Sequence, residues 1–451
     1  MLPLAVPSAK LPFWSHPSRL MAAGLAGLVA TGTALLWLPA ATAGPGHAPL
    51  RTALFTATSA ASLTGLGVVD TGTYWSPLGQ VVIMALIQVG GLGVMTSASL
   101  VAVLIAGRMG LRSRLSAEYE TRTMSLSTVR RVITGTALLS LVVEAVVAVV
   151  LTGRLWLGHG YPFGKAAWFA VFHAVTAFNN AGFSLWPDKL VGAATDPWIL
   201  LPVAVALIVG GLGYPVVYEA LRVRPVRRWS VHAKTTLAVT GVLLLVGPLA
   251  LIVGEWHNPH TLGALDVPGR LLAGGFSGIT PRTAGLNVID YGQTGEATLL
   301  FTDILMFIGG GSGSTAGGIK VTTIAVLLMA VVAEARGDRD IDIFGRRMSP
   351  PTVRQAIAVA TLGMVVVLGS ALVLLEISDL PLDHVLFEVT SALCTVGLST
   401  GITPHLPAAG QYLLVALMYF GRIGSVTVVT ALALRSTSRA YRNPEGRPFI
   451  G

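Results

Sequence analysis

The sequence predicts an all-α polytopic membrane protein. Three observations carry that prediction: a composition that cannot clothe a soluble surface, apolar runs of two distinct lengths, and a pair of linked motifs that recurs four times. Of the 451 residues, 53% are apolar and only 11% are charged, whereas soluble domains carry about 25% charged residues. So few charges leave much of the exterior to lipid. The 52 glycines alongside this apolarity fit membrane helices that pack closely or break to line a cavity. A single cysteine, Cys394, rules out an intrachain disulfide. The net charge of +9 sits in short basic blocks between apolar runs, a pattern of membrane-protein loops and not of nucleic-acid binding.

The apolar runs fall into an order. Long runs lie near 19–40, 131–152, 235–254 and 354–376. Each is followed by a shorter run, near 51–62, 166–178, 268–279 and 382–393. A glycine-bearing loop comes next, then a second long run, near 77–107, 197–221, 297–333 and 409–434. About 20 apolar residues cross the hydrocarbon core, and about 10–14 do not. The expected unit is therefore two spanning helices around a re-entrant half-helix (M1–P-loop–M2). Four such units, at 17–107, 128–222, 232–335 and 350–435, give eight transmembrane helices and four half-helices around a pseudo-fourfold pore.

The linked motifs support the same division. Phe55-Thr-Ala-Thr-Ser-Ala60 precedes Leu63-Thr64-Gly65, Phe172-His-Ala-Val-Thr-Ala177 precedes Asn180-Ala181-Gly182, and Phe387-Glu-Val-Thr-Ser-Ala392 precedes Thr395-Val396-Gly397. In these three the Phe lies ten residues before the Gly, while Phe276 lies nine before Gly285 in the looser copy ending Thr283-Ala284-Gly285. A second glycine motif follows each loop, at Gly90-Gly91, Gly210-Gly211, Gly309-Gly310-Gly311 and Gly421-Arg422, after 25, 28, 24 and 24 residues.

An even number of spans puts both termini on one side. Basic blocks mark that side: Arg108, Arg112, Arg114, Arg122, Arg130 and Arg131; Arg222, Arg224, Arg227, Arg228 and Lys234; Arg336, Arg339, Arg346, Arg347 and Arg354; Arg435, Arg439, Arg442 and Arg447. The other side holds only Arg51, Arg154, Lys165, Lys189, Arg270 and Arg282. The positive-inside rule then makes both termini cytoplasmic and sets the glycine loops toward the outer half of the cell membrane. Ala41-Thr42-Ala43 resembles a signal-peptidase site, but cleavage there would remove the first helix of the first unit, so the run is read as a span. Trp75, Trp156, Trp168, Trp186, Trp198 and Trp256 are expected as interface anchors.

A dehydrated cation needs oxygens in place of its water shell, and backbone carbonyls supply them where loops expose several toward one axis. Glycine reaches φ > 0 freely and leaves no Cβ where four backbones converge. Carbonyls of Leu63, Thr64 and Gly65, of Asn180, Ala181 and Gly182, of Thr283, Ala284 and Gly285, and of Thr395, Val396 and Gly397 are the expected filter. Helix C-terminal ends aimed inward would add partial negative charge. None of the triplets holds a carboxylate, which points away from a divalent ion. The simpler reading, glycines that merely let helices pack, leaves the short runs unexplained.

Two departures from symmetry stand out. Arg422 occupies the place of Gly91 and Gly211. A charge there should face the bundle interior or water, either as an electrostatic barrier to cations or as a paired structural charge. The stretch Gly309, Gly310, Gly311, Ser312, Gly313, Ser314, Thr315, Ala316, Gly317, Gly318, Ile319, Lys320 is too rich in glycine to hold a helix. It is expected to interrupt the span as a flexible loop below the filter, a gate or else a passive kink. Gly310-Gly311-Ser312-Gly313 matches the serine motif of intramembrane proteases, but His173, in the second short-run helix, belongs to another quadrant. A P-loop is excluded by the late position of Lys320 and the lack of a preceding strand.

With these residues in view, the pattern resembles the Trk/Ktr/HKT superfamily of K⁺ transporters, and within it the KtrB-type membrane subunits of bacterial Ktr systems. The resemblance spans about residues 17–439. It rests on glycines 65, 182, 285 and 397, on Thr280-Pro281-Arg282-Thr283-Ala284-Gly285, on the run from Gly309 to Lys320, and on Arg422. It implies a K⁺ transporter, not an enzyme, with K⁺ at the filter residues and Na⁺ as a candidate regulator. It implies a gate formed by the 309–320 loop and Arg422. It implies a homodimer docked on a cytoplasmic ring of KtrA-like RCK subunits that bind ATP, ADP or other nucleotides, with no cofactor in this chain. Sodium-selective relatives carry Ser at the first filter position, so Gly65 favours K⁺. The competing readings are an Na⁺-selective relative, an intramembrane hydrolase using Ser312, and a membrane scaffold without transport.

Overall fold

The computed structural model describes residues 17–113, 126–223 and 225–434. Arg114, Arg122, Arg224, Arg435, Arg439, Arg442 and Arg447 lie outside the described residues. The described residues are mostly helical. The chain runs through α1 (Pro17–Leu36), α2 (Leu50–Ser62), the single turn α3 (Thr71–Tyr74), α4 (Pro77–Ser113), α5 (Leu126–Gly153), α6 (Phe163–Phe178), α7 (Pro197–Leu212), α8 (Tyr214–Arg222) and α9 (Val231–Glu255). It continues through α10 (Val267–Ile279), α11 (Glu296–Phe307), α12 (Val321–Arg336), α13 (Pro350–Glu376), α14 (Leu382–Leu393) and α15 (Ala408–Leu434). Between α12 and α13, β1 (Asp342–Ile343) and β2 (Arg346–Arg347) form a small antiparallel hairpin.

Burial sorts the helices. Leu138, Val149, Leu245, Val253 and Leu372, on α5, α9 and α13, are all exposed, and 17–22% of the apolar window of each of these helices is buried. They form a lipid-facing periphery. The corresponding window of α4 is 50% buried, so that helix sits further in. Inside lie the short helices α2, α6, α10 and α14, of 13, 16, 13 and 12 residues. At 1.5 Å per residue these are about 18–24 Å long, less than the ~30 Å hydrocarbon core. Their phenylalanines Phe55, Phe172, Phe276 and Phe387 are all buried, each packed in one of three apolar clusters.

Among the described residues, four helices are long and apolar enough to cross a membrane, at 77–96, 132–158, 231–255 and 350–376. The pair α7–α8 makes a fifth if taken together, and it corrects one expectation. The run 197–221 is not one straight helix. It bends by 98° at Gly213, whose φ is +84° and which is followed by Tyr214-Pro215. Proline in the first turn of α8 removes a backbone donor, and glycine takes the left-handed φ that the corner needs. Trp75 is a second correction: it is buried in the apolar cluster below α2, bridged through its backbone to Thr42, and is no interface anchor. Trp156 and Trp198 are exposed at helix ends.

Candidate functional site: four glycine loops meeting at one point

Each short helix ends in a loop with the same backbone rhythm. The first triplet residue is left-handed: Leu63 at φ +59°, Asn180 at +53°, Thr283 at +68° and Thr395 at +50°. The third is a left-handed glycine: Gly65 at +90°, Gly182 at +72°, Gly285 at +64° and Gly397 at +89°. The middle residue has negative φ in every case. Non-glycine residues seldom hold φ > 0, so four in equivalent places mark an imposed conformation. All twelve triplet residues belong to buried backbone or to the floor of one cavity.

The imposing force is a set of hydrogen bonds back to the helix. In three loops the middle amide donates to the carbonyl five residues earlier. These bonds join Thr64 N to Ser59 O (2.8 Å), Ala181 N to Thr176 O (2.9 Å) and Val396 N to Ser391 O (2.8 Å). This is the bond pattern of a Schellman helix end. In addition, the Gly65 amide donates to Ser59 Oγ and the Gly397 amide to Ser391 Oγ, both at 3.0 Å, while Phe183 N donates to Thr176 Oγ1 at 3.0 Å. The third loop closes one residue tighter, with Ala284 N donating to Thr280 O at 2.9 Å. That tighter turn accounts for the offset of nine residues instead of ten between Phe276 and Gly285. The hydroxyl four residues after the Phe holds the loop in three copies (Ser59, Thr176 and Ser391), whereas Thr280 Oγ1 donates back to Ser277 O; the glycine spacing alone does not single this position out. Its signal is present in the sequence, since every copy carries Ser or Thr there.

The four glycines meet. A Cβ built on Gly65 would lie 2.6 Å from Gly182 Cα, one on Gly182 3.0 Å from Gly285 Cα, one on Gly285 3.1 Å from Gly397 Cα, and one on Gly397 3.0 Å from Gly65 Cα. The loops therefore close a ring in chain order, with the C-terminal ends of four helices behind it. A helix C-terminus carries roughly half a negative charge. The point on which these loops converge is thus electronegative through backbone alone. Lys189 reports on it directly: its ammonium donates to Gly285 O at 2.6 Å and to Gly397 O at 2.7 Å. From sequence alone Lys189 is only one of the sparse outer cations. Above the ring, a cavity of about 580 Å³ is lined by Gly65, Gly182, Gly397, Lys189, Asp70 and Asp290 among others.

On the opposite side of the loops lies the interrupted helix. Residues between α11 and α12 form a folded loop, not a limp one. Gly309 N donates to Ile319 O (2.9 Å) and Ile319 N to Phe307 O (3.1 Å), closing its neck. Gly311 N donates to Gly211 O (2.8 Å) and Thr315 N to Gly210 O (3.3 Å), tying it to the end of α7. Thr315 Oγ1 accepts from Asn180 Nδ2 at 2.8 Å, and Thr315 O accepts from Arg422 Nη1 at 2.6 Å. Lys320 Nζ donates to Ala316 O at 2.5 Å. Gly309, Gly310, Gly311, Gly313, Ser314, Thr315, Ala316 and Gly317 are buried, and Gly318, Ser312 and Lys320 are half-buried. Arg422 is buried, makes no ion pair among the described residues, and leaves Nε and Nη2 without a protein partner. His173 is held by Phe169 O and Ser184 Oγ, at 2.7 and 3.0 Å, and not by Ser312, so no nucleophile–base pair forms between them.

A family model of cation transport proteins, TrkH, matches residues 30–442. The chain belongs to that family. It is 39% identical to the Ktr system potassium uptake protein B of Bacillus subtilis, over 96% of this chain and 97% of that protein. It is 36% identical to the protein of the same name from Vibrio alginolyticus, over 88% of each. It is 35% identical to the potassium/sodium uptake protein NtpJ of Enterococcus hirae, over 96% of this chain and 97% of that one. The crystal structure of the potassium transporter TrkH from Vibrio parahaemolyticus shares the fold at a TM-score of 0.73, with 18% identity, covering 96% of this chain and 87% of that one. Family and hydrophobic helices together make this a membrane-embedded transporter chain.

Proposed function

We propose that this chain is the membrane subunit of a K⁺ uptake system, passing K⁺ through one pore along its own axis. The observation that carries the proposal is the closed ring of Gly65, Gly182, Gly285 and Gly397 at the C-terminal ends of four short helices. The reading divides the chain into four M1–P-loop–M2 repeats with eight spans, both termini cytoplasmic. The filter is the backbone of residues 63–65, 180–182, 283–285 and 395–397. A hard monovalent ion suits uncharged carbonyl oxygens, which replace its water shell without the carboxylates that divalent ions recruit.

The gate in this reading is the 309–320 loop under the filter together with Arg422. The loop crosses the path from the ring toward the cytoplasm, and the arginine sets a positive charge beside it. The hydrogen bond from Arg422 to Thr315 O ties the two, and the unpaired nitrogens keep the charge uncompensated. The names of the relatives, Ktr system potassium uptake proteins, support K⁺ as cargo and a separate partner. We propose a homodimer on a cytoplasmic RCK-type ring that binds ATP, ADP or a related nucleotide. The potassium/sodium name of the Enterococcus relative keeps Na⁺ as a second reading for cargo or regulator.

The test is rescue of a K⁺-uptake-deficient strain at low K⁺, with the partner co-expressed and Na⁺ present or absent. Growth restored by the natural chain and abolished by Gly397→Asp is the expected result. No rescue by protein verified in the membrane overturns the proposal, and rescue of Na⁺ uptake alone favours the second reading.

A further inference from the structure

The outer face of the glycine ring is occupied by part of the protein itself. Lys189 follows the second glycine loop, and its backbone is left-handed at φ +55°. Its amide donates to Trp186 O at 3.1 Å, and the neighbouring Leu190 amide donates to Asn287 O at 3.0 Å, which fastens this turn to the segment leaving the third loop. From that fixed base the side chain reaches across to the third and fourth loops, where Nζ donates to Gly285 O and Gly397 O. No carboxylate pairs with the ammonium among the described residues. The acids of the surrounding cavity, Asp70, Asp188 and Asp290, are each turned back to cap local backbone amides, at Thr73, Gly192 and Gly292. The buried acid Glu388 makes no ion pair with the ammonium among the described residues, and one of its oxygens is held by Ser399 and Thr403.

We infer that Lys189 is a tethered cation that competes with the transported ion for the outermost carbonyl oxygens of the ring. This rests on the filter reading above. An ammonium carries the same unit charge as K⁺ and satisfies carbonyls in the same way, by directing positive charge at their oxygens. The two cannot share the site, because like charges repel within a few ångströms in a partly buried setting. An entering ion must therefore displace the ammonium into the cavity. The four-carbon stem has rotatable bonds for that movement, and the acidic lining offers a place for the expelled charge. The device would set apparent affinity for external K⁺ without touching the carbonyl geometry that selects it.

The test measures initial Rb⁺ or K⁺ uptake against external concentration by the full chain with its partner in whole cells. When a site is competent only while its competitor is away, apparent affinity falls by that fraction, so Lys189→Gln is expected to lower KM by about three- to tenfold. The maximal rate should be kept or raised, and Lys189→Arg should keep a natural or higher KM. Chemical restoration provides the second arm. Lys189→Cys, with Cys394 buried and shielded, should show the low KM. It should return toward the natural value when a thiosulfonate installs an ethylammonium group, and not when it installs a neutral methyl group. An unchanged or raised KM in Lys189→Gln, or restoration by the neutral reagent as well, overturns the inference. If Gly397→Ser meanwhile loses preference for K⁺ over Na⁺, the filter reading survives that failure. If Gly397→Ser leaves the preference intact, the filter reading falls with it.

Discussion

A glycine in the ring is constrained twice, by its backbone and by its neighbours. Gly285 sits at φ +64°, and a methyl on it would lie 2.5 Å from Val396 O and 2.9 Å from Gly182 Cα, both backbone. A left-handed L-residue costs about 1–2 kcal/mol before any clash is counted, and no side chain is available here to move aside. Gly285→Ala is therefore expected to reach the membrane with its ring opened. Competition of Na⁺ with K⁺ uptake would show this as a loss of K⁺ preference of about tenfold or more, the equivalent of 1.4 kcal/mol. An Ala variant with natural preference would remove Gly285 from the site. Arg422 differs in kind, since what matters is its charge. With Thr315 O as its partner among the described residues, it raises the local potential on the inner side of the ring. Arg422→Ala should raise the K⁺ flux by about fivefold, if the barrier drops by ~1 kcal/mol, while Na⁺ exclusion stays as it was. Flux assayed in reconstituted vesicles decides, and an equal or lower flux assigns Arg422 to holding the loop in place.

At the scale of elements, the helix ends carry the design. Asp196 caps α7, accepting from Trp198 N at 3.0 Å, from Arg154 Nε at 2.7 Å and from His159 Nε2 at 2.9 Å. Burial alone would push this carboxyl up, but the hydrogen bonds from His159 and Arg154 outweigh it and hold the group below the usual aspartate range. A lowered pKa means that its stabilising share is full above the ordinary value and is lost as pH falls through the lowered one. Asp196→Ala should thus cost about 0.5–2 kcal/mol of stability at neutral pH, read as a lower melting temperature in detergent. The gap from the natural chain should close under acid conditions, and a pH-independent gap would make the effect one of packing. How far such ends are legible in sequence depends on what sets them. The short helices and their Phe–Gly spacing are legible because apolar length and glycine are local signals. The 98° corner at Gly213 is hidden because Gly210-Gly211-Leu212-Gly213 repeats the pattern of Gly90-Gly91-Leu92-Gly93, where the helix runs on. The difference lies in the next residues, Tyr214-Pro215 against Val94-Met95. The docking of the 309–320 loop is likewise invisible, because the hydrogen bonds that tie it down go to Gly210, Gly211, Asn180 and Arg422, all distant in the chain. Trp75 misleads since an aromatic at a helix boundary reads as an anchor until its neighbours are known. Lys189 escapes for the same reason: its partners are 96 and 208 residues away.

The whole molecule has two unlike ends, and which one faces outward decides how every other prediction is read. The ring, the acidic cavity and Lys189 lie toward one end, with the hairpin of β1 and β2 and the basic residues Arg336, Arg339, Arg346 and Arg347 at the other. Positive charge near span ends is retained in the cytoplasm, so the cavity should open to the outside and meet K⁺ before the interrupted helix does. Two positions report this without disturbing the fold. Gly44 is exposed with nothing within 4 Å of a built Cβ, and Asp338 is exposed and makes no ion pair among the described residues. With Cys394 buried, Gly44→Cys in intact cells should react with a membrane-impermeant maleimide, and Asp338→Cys should react only after the membrane is opened. The same cells should take up K⁺, so that labelling and transport refer to one population. Reversed labelling would turn the cavity to the cytoplasm. Lys189 would then face the high-K⁺ side, and competition there would restrain efflux instead of setting the affinity for entry.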